Sequence, residues 1–372
     1  MERVIEFAVL AALALFTARR LLFAFACTWA SAPAQPMRRM SVAVCVAAKD
    51  ERRGLPGLLE CLSRLDYPED RLIFMLVSDG STDETPRIFE QWAAGRTNAR
   101  VLLLKESLGK AAALNHALAA APAAELIAVY DADQRPEPQS LALLAGAFED
   151  ERTGAAGGYR RPLNAAATIV SRYAALECWT HQRVTLRGKD RLGISTTTLG
   201  GNCVYRRTAL DQVNGFRPGA FSEDIEVSLA ISARGWRIRF VEQAAAGTLV
   251  AATLRAFLRQ RRRWTVGLYS SSRNASGIEA WSVALGYADR LVLLALIALI
   301  VLTHLSPWWL AIYVFPPAAA LALALARTPE ARPAYRYAVT LAPMFLVDVA
   351  ITVWASVEKL LGRAPAWRTG SR

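Results

Sequence analysis

From about residue 40 to 255 the chain alternates between short apolar runs and stretches with helical spacing. Ser41–Ala47, Arg71–Val77, Ala99–Leu104 and Glu125–Tyr130 have the length and composition of buried parallel strands. Between them, Leu55–Leu65, Thr85–Trp92 and Ala111–Ala121 carry helical patterns. Ser81 or Thr82 stands where an N-cap for the second helix is expected. This alternation predicts an α/β domain built on a mostly parallel sheet. Ligands in such sheets sit at the carboxyl ends of the strands.

Longer apolar stretches flank this region. Val4–Trp29 is broken by Glu6 and the pair Arg19-Arg20. At about 1.5 Å per residue it can cross a hydrocarbon core of roughly 30 Å. A cleaved signal peptide would need a basic start and an uninterrupted apolar core, unlike Met1-Glu2-Arg3 followed by Arg19-Arg20. Val283–Thr303, Trp308–Ala326 and Tyr337–Leu360 are three further candidate spans; Asp289 and Arg290 lie in the first, Pro343 and Asp348 in the last. Trp281, Trp308, Trp309 and Tyr337 stand at span ends, where amphipathic rings prefer to sit. Core helices of a soluble protein are the competing reading.

The pattern divides the chain into an N-terminal transmembrane helix (1–30), a cytoplasmic catalytic domain (31–255), an amphipathic interface helix (256–280) and a C-terminal membrane domain of about three segments (281–372). Arg327, Arg332 and Arg336 place the last loop inside. One further crossing would put Lys359, Arg363, Arg368 and Arg372 outside, against the same rule; a re-entrant or surface-lying segment would not.

Charge and composition sharpen this. The 372 residues hold 44 Lys and Arg against 32 Asp and Glu, a net charge of +12, and 53% are apolar. Such apolar content excludes a disordered chain. Five cysteines with no CxxC pair exclude a disulfide scaffold and point to reduced thiols and a cytoplasmic main domain. The basic residues cluster beside apolar spans rather than on a recognisable nucleic-acid module, so no nucleic-acid partner is expected.

Acidic groups follow three of the strands: Asp50-Glu51 the first, Asp79 the second, Asp131 and Asp133 the fourth. A divalent cation with a diphosphate is the natural counter-charge, since Mg²⁺ takes one or two carboxylates plus phosphate oxygens. Gly109-Lys110 at a helix start suits phosphate. It is not a Walker A loop, because Leu104 stands where that motif has glycine and Ala111 where it has Ser or Thr. Each motif also has a bland reading: Asp79-Gly80 as a turn, Asp131 and Asp133 as caps, Lys110 as a solvated lysine.

The ordered set is more specific. Asp79-Gly80-Ser81, then Gly109-Lys110 with Leu114-Asn115, then Asp131-Ala132-Asp133, Gly200-Gly201-Asn202, Ser222-Glu223-Asp224 and Gln260-Arg261-Arg262-Arg263-Trp264 resembles the family 2 glycosyltransferases. Within them it is similar to membrane-integrated cellulose, hyaluronan and poly-N-acetylglucosamine synthases, over about residues 40 to 270 and into the flanking spans.

The resemblance implies a GT-A fold, Rossmann-like with a mostly parallel sheet, and inverting transfer from a nucleotide-diphosphate sugar, such as a UDP-sugar, to a growing β-linked polysaccharide. A glycolipid-forming enzyme, for example a diacylglycerol glycosyltransferase, is the alternative. The cofactor implied is Mg or Mn. The partners are the donor, a carbohydrate or lipid acceptor and the bilayer, with room for an accessory subunit. The setting is a bacterial-type inner membrane, crossed several times, with the catalytic domain cytoplasmic.

Carried over by position, Glu51 and Asp79 would hold the nucleoside, Lys110 would lie near the nucleotide, and Asp133 would bind the metal with Asp131 beside it near the ribose or the metal. Asp224, next to Glu223, would be the base on the acceptor hydroxyl at the start of a helix over Ile225–Arg234. Gln260, Arg263 and Trp264 would line the donor diphosphate and acceptor entry, while Arg255, Arg259 and Arg262 would face lipid head groups.

Overall fold

Val42, Val44 and Val46 of β1 (Val42–Ala48) point into one apolar core and Ala43 and Cys45 into another. Both faces of the strand are covered, which is why its sequence is apolar throughout rather than alternating. The computed structural model describes residues 2–30, 33–121, 124–198, 200–220, 222–272, 288–331 and 341–362.

β2 (Leu72–Asp79), β3 (Ala99–Leu104) and β4 (Leu126–Val129) join β1 in the parallel order β3-β2-β1-β4. The sheet continues as β7 (Cys203–Arg206), β6 (Thr153–Pro162), β8 (Arg237–Thr248) and β5 (Arg135–Pro136). β7 runs antiparallel to both β4 and β6, so the eight strands form a mixed sheet with a parallel half. The strand order reverses between β1 and β4, where ligand crevices open in such folds.

One face is covered by α2 (Leu55–Leu62), α3 (Thr85–Ala93) and α5 (Ser140–Gly146), through Leu55, Leu58, Phe89 and Leu141. The other is covered by α4 (Lys110–Ala120), α8 (Arg207–Asp211) and α9 (Glu223–Ala233). The small residues Ala111, Ala113 and Ala117 turn inward and let α4 approach the strands closely. α3 does not take its cap from Ser81 or Thr82. Asp83 accepts from the Thr85 amide at 2.8 Å, because Thr82 is already held by Asp50, whose Oδ1 takes its amide at 2.8 Å.

α6 (Ile169–Thr180), a π-helical stretch (His181–Leu186) and α7 (Arg187–Arg191) carry the domain towards α1 (Glu2–Ala26). α1 packs against α7 and against the late helix α12 (Trp308–Ala326). Arg3–Ala26 and Trp308–Ala326 are long and apolar enough to cross a membrane, and Val4, Phe7, Val314 and Phe315 are exposed on them. α11 (Ala288–Thr303) is 16 residues long, and α13 (Ala342–Leu360) contains Asp348, Glu358 and Lys359. The expected span starts at Val283 and Tyr337, with Trp281, lie outside the described residues.

α10 (Leu254–Ser272) is bound to these helices by charge. Arg261, 3% exposed, pairs with Glu177 of α6 and with Asp348, which is wholly buried. Arg290 donates to Asp348 at 2.6 Å and the Tyr173 hydroxyl lies 3.2 Å from the same oxygen. Arg262, expected to face lipid head groups, also has a partner within the protein: it donates to both oxygens of Glu358, at 2.7 and 3.0 Å. The spacing of arginines could not show this, because the partner lies 96 positions away. Arg255 and Arg259 are exposed.

Candidate active site

Asp79 ends β2 almost fully buried, with each oxygen engaged. Oδ1 accepts from the Leu108 amide at 2.7 Å; Oδ2 accepts from the Gly109 amide at 3.0 Å and the Ser107 hydroxyl at 2.9 Å. It therefore fixes the loop that leads into α4. Gly80, at φ 61°, allows the approach: a Cβ there would stand 2.5 Å from the Glu106 carbonyl carbon.

Lys110, first residue of α4, extends between two carboxylates. Its Nζ lies 2.7 Å from Asp131 Oδ1 and 2.7 Å from Glu223 Oε1. Burial alone would lower its pKa, but Asp131 and Glu223 hold it well above the ordinary lysine value. The expected lysine near the nucleotide is thus a bridge between the strand β4 end and the start of α9. Gly200 lies at the centre of the group. A Cβ on it would stand 3.5 Å from Asp131 Oδ2, 3.5 Å from Asp224 Oδ2 and 3.8 Å from Lys110 Nζ. Its φ of 89° suits glycine, so the Gly200-Gly201-Asn202 backbone forms a floor under three charged side chains.

Asp224 sits in the first turn of α9, which starts two residues earlier than Ile225. Burial first, and then the Glu223 charge, push its pKa up to about 6; Lys110, the Ile225 amide and Arg263 partly offset this. Its backbone carbonyl accepts from the Ser228 hydroxyl at 2.6 Å and from Thr198 at 3.2 Å. Asp133 is half-buried just beyond β4, and the Asp131 amide donates to Gln134 at 3.1 Å. Among the described residues no three His, Cys, Asp or Glu side chains group as a metal cage. Asp131 and Asp133 instead offer hard oxygen donors of the kind a divalent ion shares with a diphosphate.

Arg263 is near enough for its charge to act on Asp224, so α10 brings at least this residue to the group. Gln260 and Trp264 are half-buried on the same helix, and the Arg261 guanidinium lies 5.4 Å from the Trp264 ring centre. The Glu51 amide donates to Thr85 Oγ1 at 2.8 Å, and its carboxylate lies near the Gly54 turn. A Cβ on Gly54 would stand 3.5 Å from Glu51 Oε2 and 3.1 Å from the Ala132 carbonyl oxygen, so Glu51 borders the Asp131–Asp133 segment.

Two residues that the sequence singled out without giving them a role are structural contributors. Asp50, at φ 54°, ties the β1 end to the Thr82 and Asp83 amides. Asn202, fully buried, donates to the Tyr159 and Ala244 carbonyls and locks the glycine floor to β6 and β8. Its place two residues past Gly200 was the available signal.

The chain is similar to known proteins in sequence and in fold. A beta-monoglucosyldiacylglycerol synthase of Nostoc sp. is 29% identical over 234 residues, 61% of this chain and 49% of its own. An N-acetylglucosaminyltransferase of Rhizobium leguminosarum bv. viciae is 28% identical over 275 residues, 68% of this chain and 64% of its own. The chain thus spans about half to two thirds of the length of these curated relatives. A mannosyltransferase from Pyrobaculum calidifontis, solved with GDP-Man and Mn2+, has the same fold: TM-score 0.64, 23% identity, covering 98% of this chain and 100% of that one. The family described as Glycosyltransferase like family 2 matches residues 38–267. With its GT-A sheet and its charged group at the strand ends, the chain belongs to that family.

Proposed function

We propose that this chain is an inverting glycosyltransferase that moves a sugar from a nucleotide-diphosphate donor to a growing β-linked polysaccharide at a membrane. The observation that carries the reading is the convergence of Asp131, Lys110 and Asp224 around Gly200. One carboxylate faces the donor side and another, with its pKa near 6, is poised to take a proton near neutral pH.

In this reading Asp224 accepts the acceptor hydroxyl proton as the oxygen attacks the anomeric carbon, and the nucleoside diphosphate departs. Asp133, with Asp131 beside it, would hold a divalent cation, which when bound would supply positive charge to the leaving diphosphate. The Mn2+ bound by the Pyrobaculum mannosyltransferase supports a divalent cation in this reading. Glu51 and Asp79 bound the nucleoside side, Asp79 chiefly by fixing the 107–109 loop. Arg263 faces the diphosphate, with Gln260 and Trp264 at the acceptor entry. Glu223 keeps Lys110 in place.

The Gln260–Trp264 motif favours the polymer. A lipid acceptor is the second reading, favoured by the Nostoc synthase. The two apolar helices, Arg3–Ala26 and Trp308–Ala326, support a membrane setting for either. Purified protein offered a panel of nucleotide sugars with Mn²⁺ should release nucleotide with one of them. Product retained in the aqueous phase as long chains supports the polymer; a single chloroform-soluble glycolipid supports the second reading. No release with any donor would overturn the proposal.

A further inference from the structure

A cavity of about 180 Å³ lies between the chain that follows α1 and the domain, walled by Pro33–Gln35, α5, α7 and residues 239–243 of β8. None of the proposed site residues lines it. Three guanidinium groups, Arg187, Arg191 and Arg239, and two carboxylates, Asp190 and Glu242, face it. Both carboxylates are committed. Asp190 Oδ1 takes Arg239 at 2.7 Å and the Phe240 amide at 3.2 Å. Glu242 takes Arg187 at 2.7 Å and is also paired with Arg183.

Arg191 is left with a 3.9 Å ion pair to the already engaged Asp190, and its side chain is 14% exposed. The Nε atoms of Arg187 and Arg191 are buried without a hydrogen-bond partner. A buried charge lacking its counter-charge is costly, and so are buried donors left unmade. Burial first, and then the Arg187 charge, pull the Arg191 guanidinium below the ordinary arginine value, while Asp190 and Glu242 oppose them.

The cavity also has a defined position. α7 is pressed onto the last turn of α1: a Cβ on Gly188 would meet Phe23 Cα at 2.9 Å. With α1 as a span, the arginines lie at head-group depth. We propose that this cavity binds a phosphate-bearing anion, with Arg191 and Arg187 as the principal donors. Planar guanidinium groups match phosphate oxygens well. An anionic lipid head group and a free phosphate share that chemistry, and experiment separates them. The proposal does not depend on which sugar or acceptor the enzyme uses.

The full chain is purified in detergent and its thermal transition followed with sodium phosphate or sodium chloride at equal ionic strength. In parallel it is placed in nanodiscs of phosphatidylcholine with or without phosphatidylglycerol. The variants are Arg191→Gln, which leaves the Asp190–Arg239 pair intact, and Glu242→Gln, which removes a competing carboxylate. The wild type should be stabilised in at least one arm. Arg191→Gln should weaken the apparent affinity at least tenfold and Glu242→Gln should strengthen it. Stabilisation by phosphatidylglycerol alone assigns a lipid head group; stabilisation by phosphate as well assigns a site open to soluble anions. No wild-type response in either arm, or equal responses from wild type and both variants, would overturn the proposal.

Discussion

The Lys110 ammonium lies 2.7 Å from the Glu223 carboxylate, beside the residue proposed as base. Glu223 raises the Asp224 pKa and Lys110 lowers it, so the two act in opposite directions on the same proton. Glu223→Gln should move the acid limb of the kcat/KM profile down, and Lys110→Met should move it up, each by roughly one pH unit. An unmoved limb in both variants would remove Asp224 from the role of base.

Asp224 itself makes a paired prediction. Its folded pKa, about 6, lies above its unfolded value of 3.8, so the protonated form is the one the fold favours. That contribution to stability is fully present below the unfolded value and is lost as pH rises through 6. At pH 7.5, Asp224→Asn should lower turnover by about 10²–10⁴-fold. It should nevertheless raise the thermal midpoint slightly and leave donor affinity unchanged. A fall in midpoint together with weaker donor binding would indicate a structural carboxylate.

The metal assignment is testable without turnover. Mn²⁺ binding followed by electron paramagnetic resonance, in the presence of nucleoside diphosphate, should be lost in Asp133→Asn. Activity should vanish in excess chelator and return with Mn²⁺. Full activity in chelator would contradict it.

Gly80→Ala tests the Asp79 loop. The positive φ and the approach of Glu106 both oppose a side chain there. Strain of about 1–3 kcal/mol is expected, with a raised KM for the donor because residues 107–109 shift. An unchanged KM would show that the loop does not shape donor binding.

The buried cluster around Asp348 should dominate stability outside the catalytic group. Asp348→Ala leaves Arg261 and Arg290 facing a lost partner, and breaking such a pair costs about 3–5 kcal/mol. Glu358→Gln, whose Arg262 partner is more exposed, should cost no more than about 1 kcal/mol. Denaturation midpoints in detergent compare the two. Equal small effects would mean that water reaches the cluster.

Strands β1, β2 and β4 were legible because burial on both faces leaves an uninterrupted apolar run, while the edge strand β3 is only partly buried yet agrees with its expected bounds, Ala99–Leu104, to the residue. Trp308–Ala326 agrees because it runs from end to end without a charged residue. The α3 cap was misread because Asp50 reaches across from β1 and takes the Thr82 amide, a competition that no local pattern displays. The candidate residues were found by their order, but the bridging geometry of Lys110 was not. It depends on Asp131 and Glu223 arriving from distant segments. The Arg261 cluster was invisible for that reason too: its Glu177 partner is 84 positions away.

That cluster also sets a timetable. Tyr173 and Asp348, which meet in it, are 175 positions apart. At roughly 5–20 residues per second of synthesis, Asp348 leaves the ribosome about 9–35 s after Tyr173. Once Arg261 has been made it can meet Glu177, but its second partner, Asp348, has not yet been translated, and the Gln260–Trp264 helix lacks one of its anchors. Anchoring of the Gln260–Trp264 helix is therefore a late event in the biogenesis of this chain, completed when α13 docks rather than when the sheet has folded.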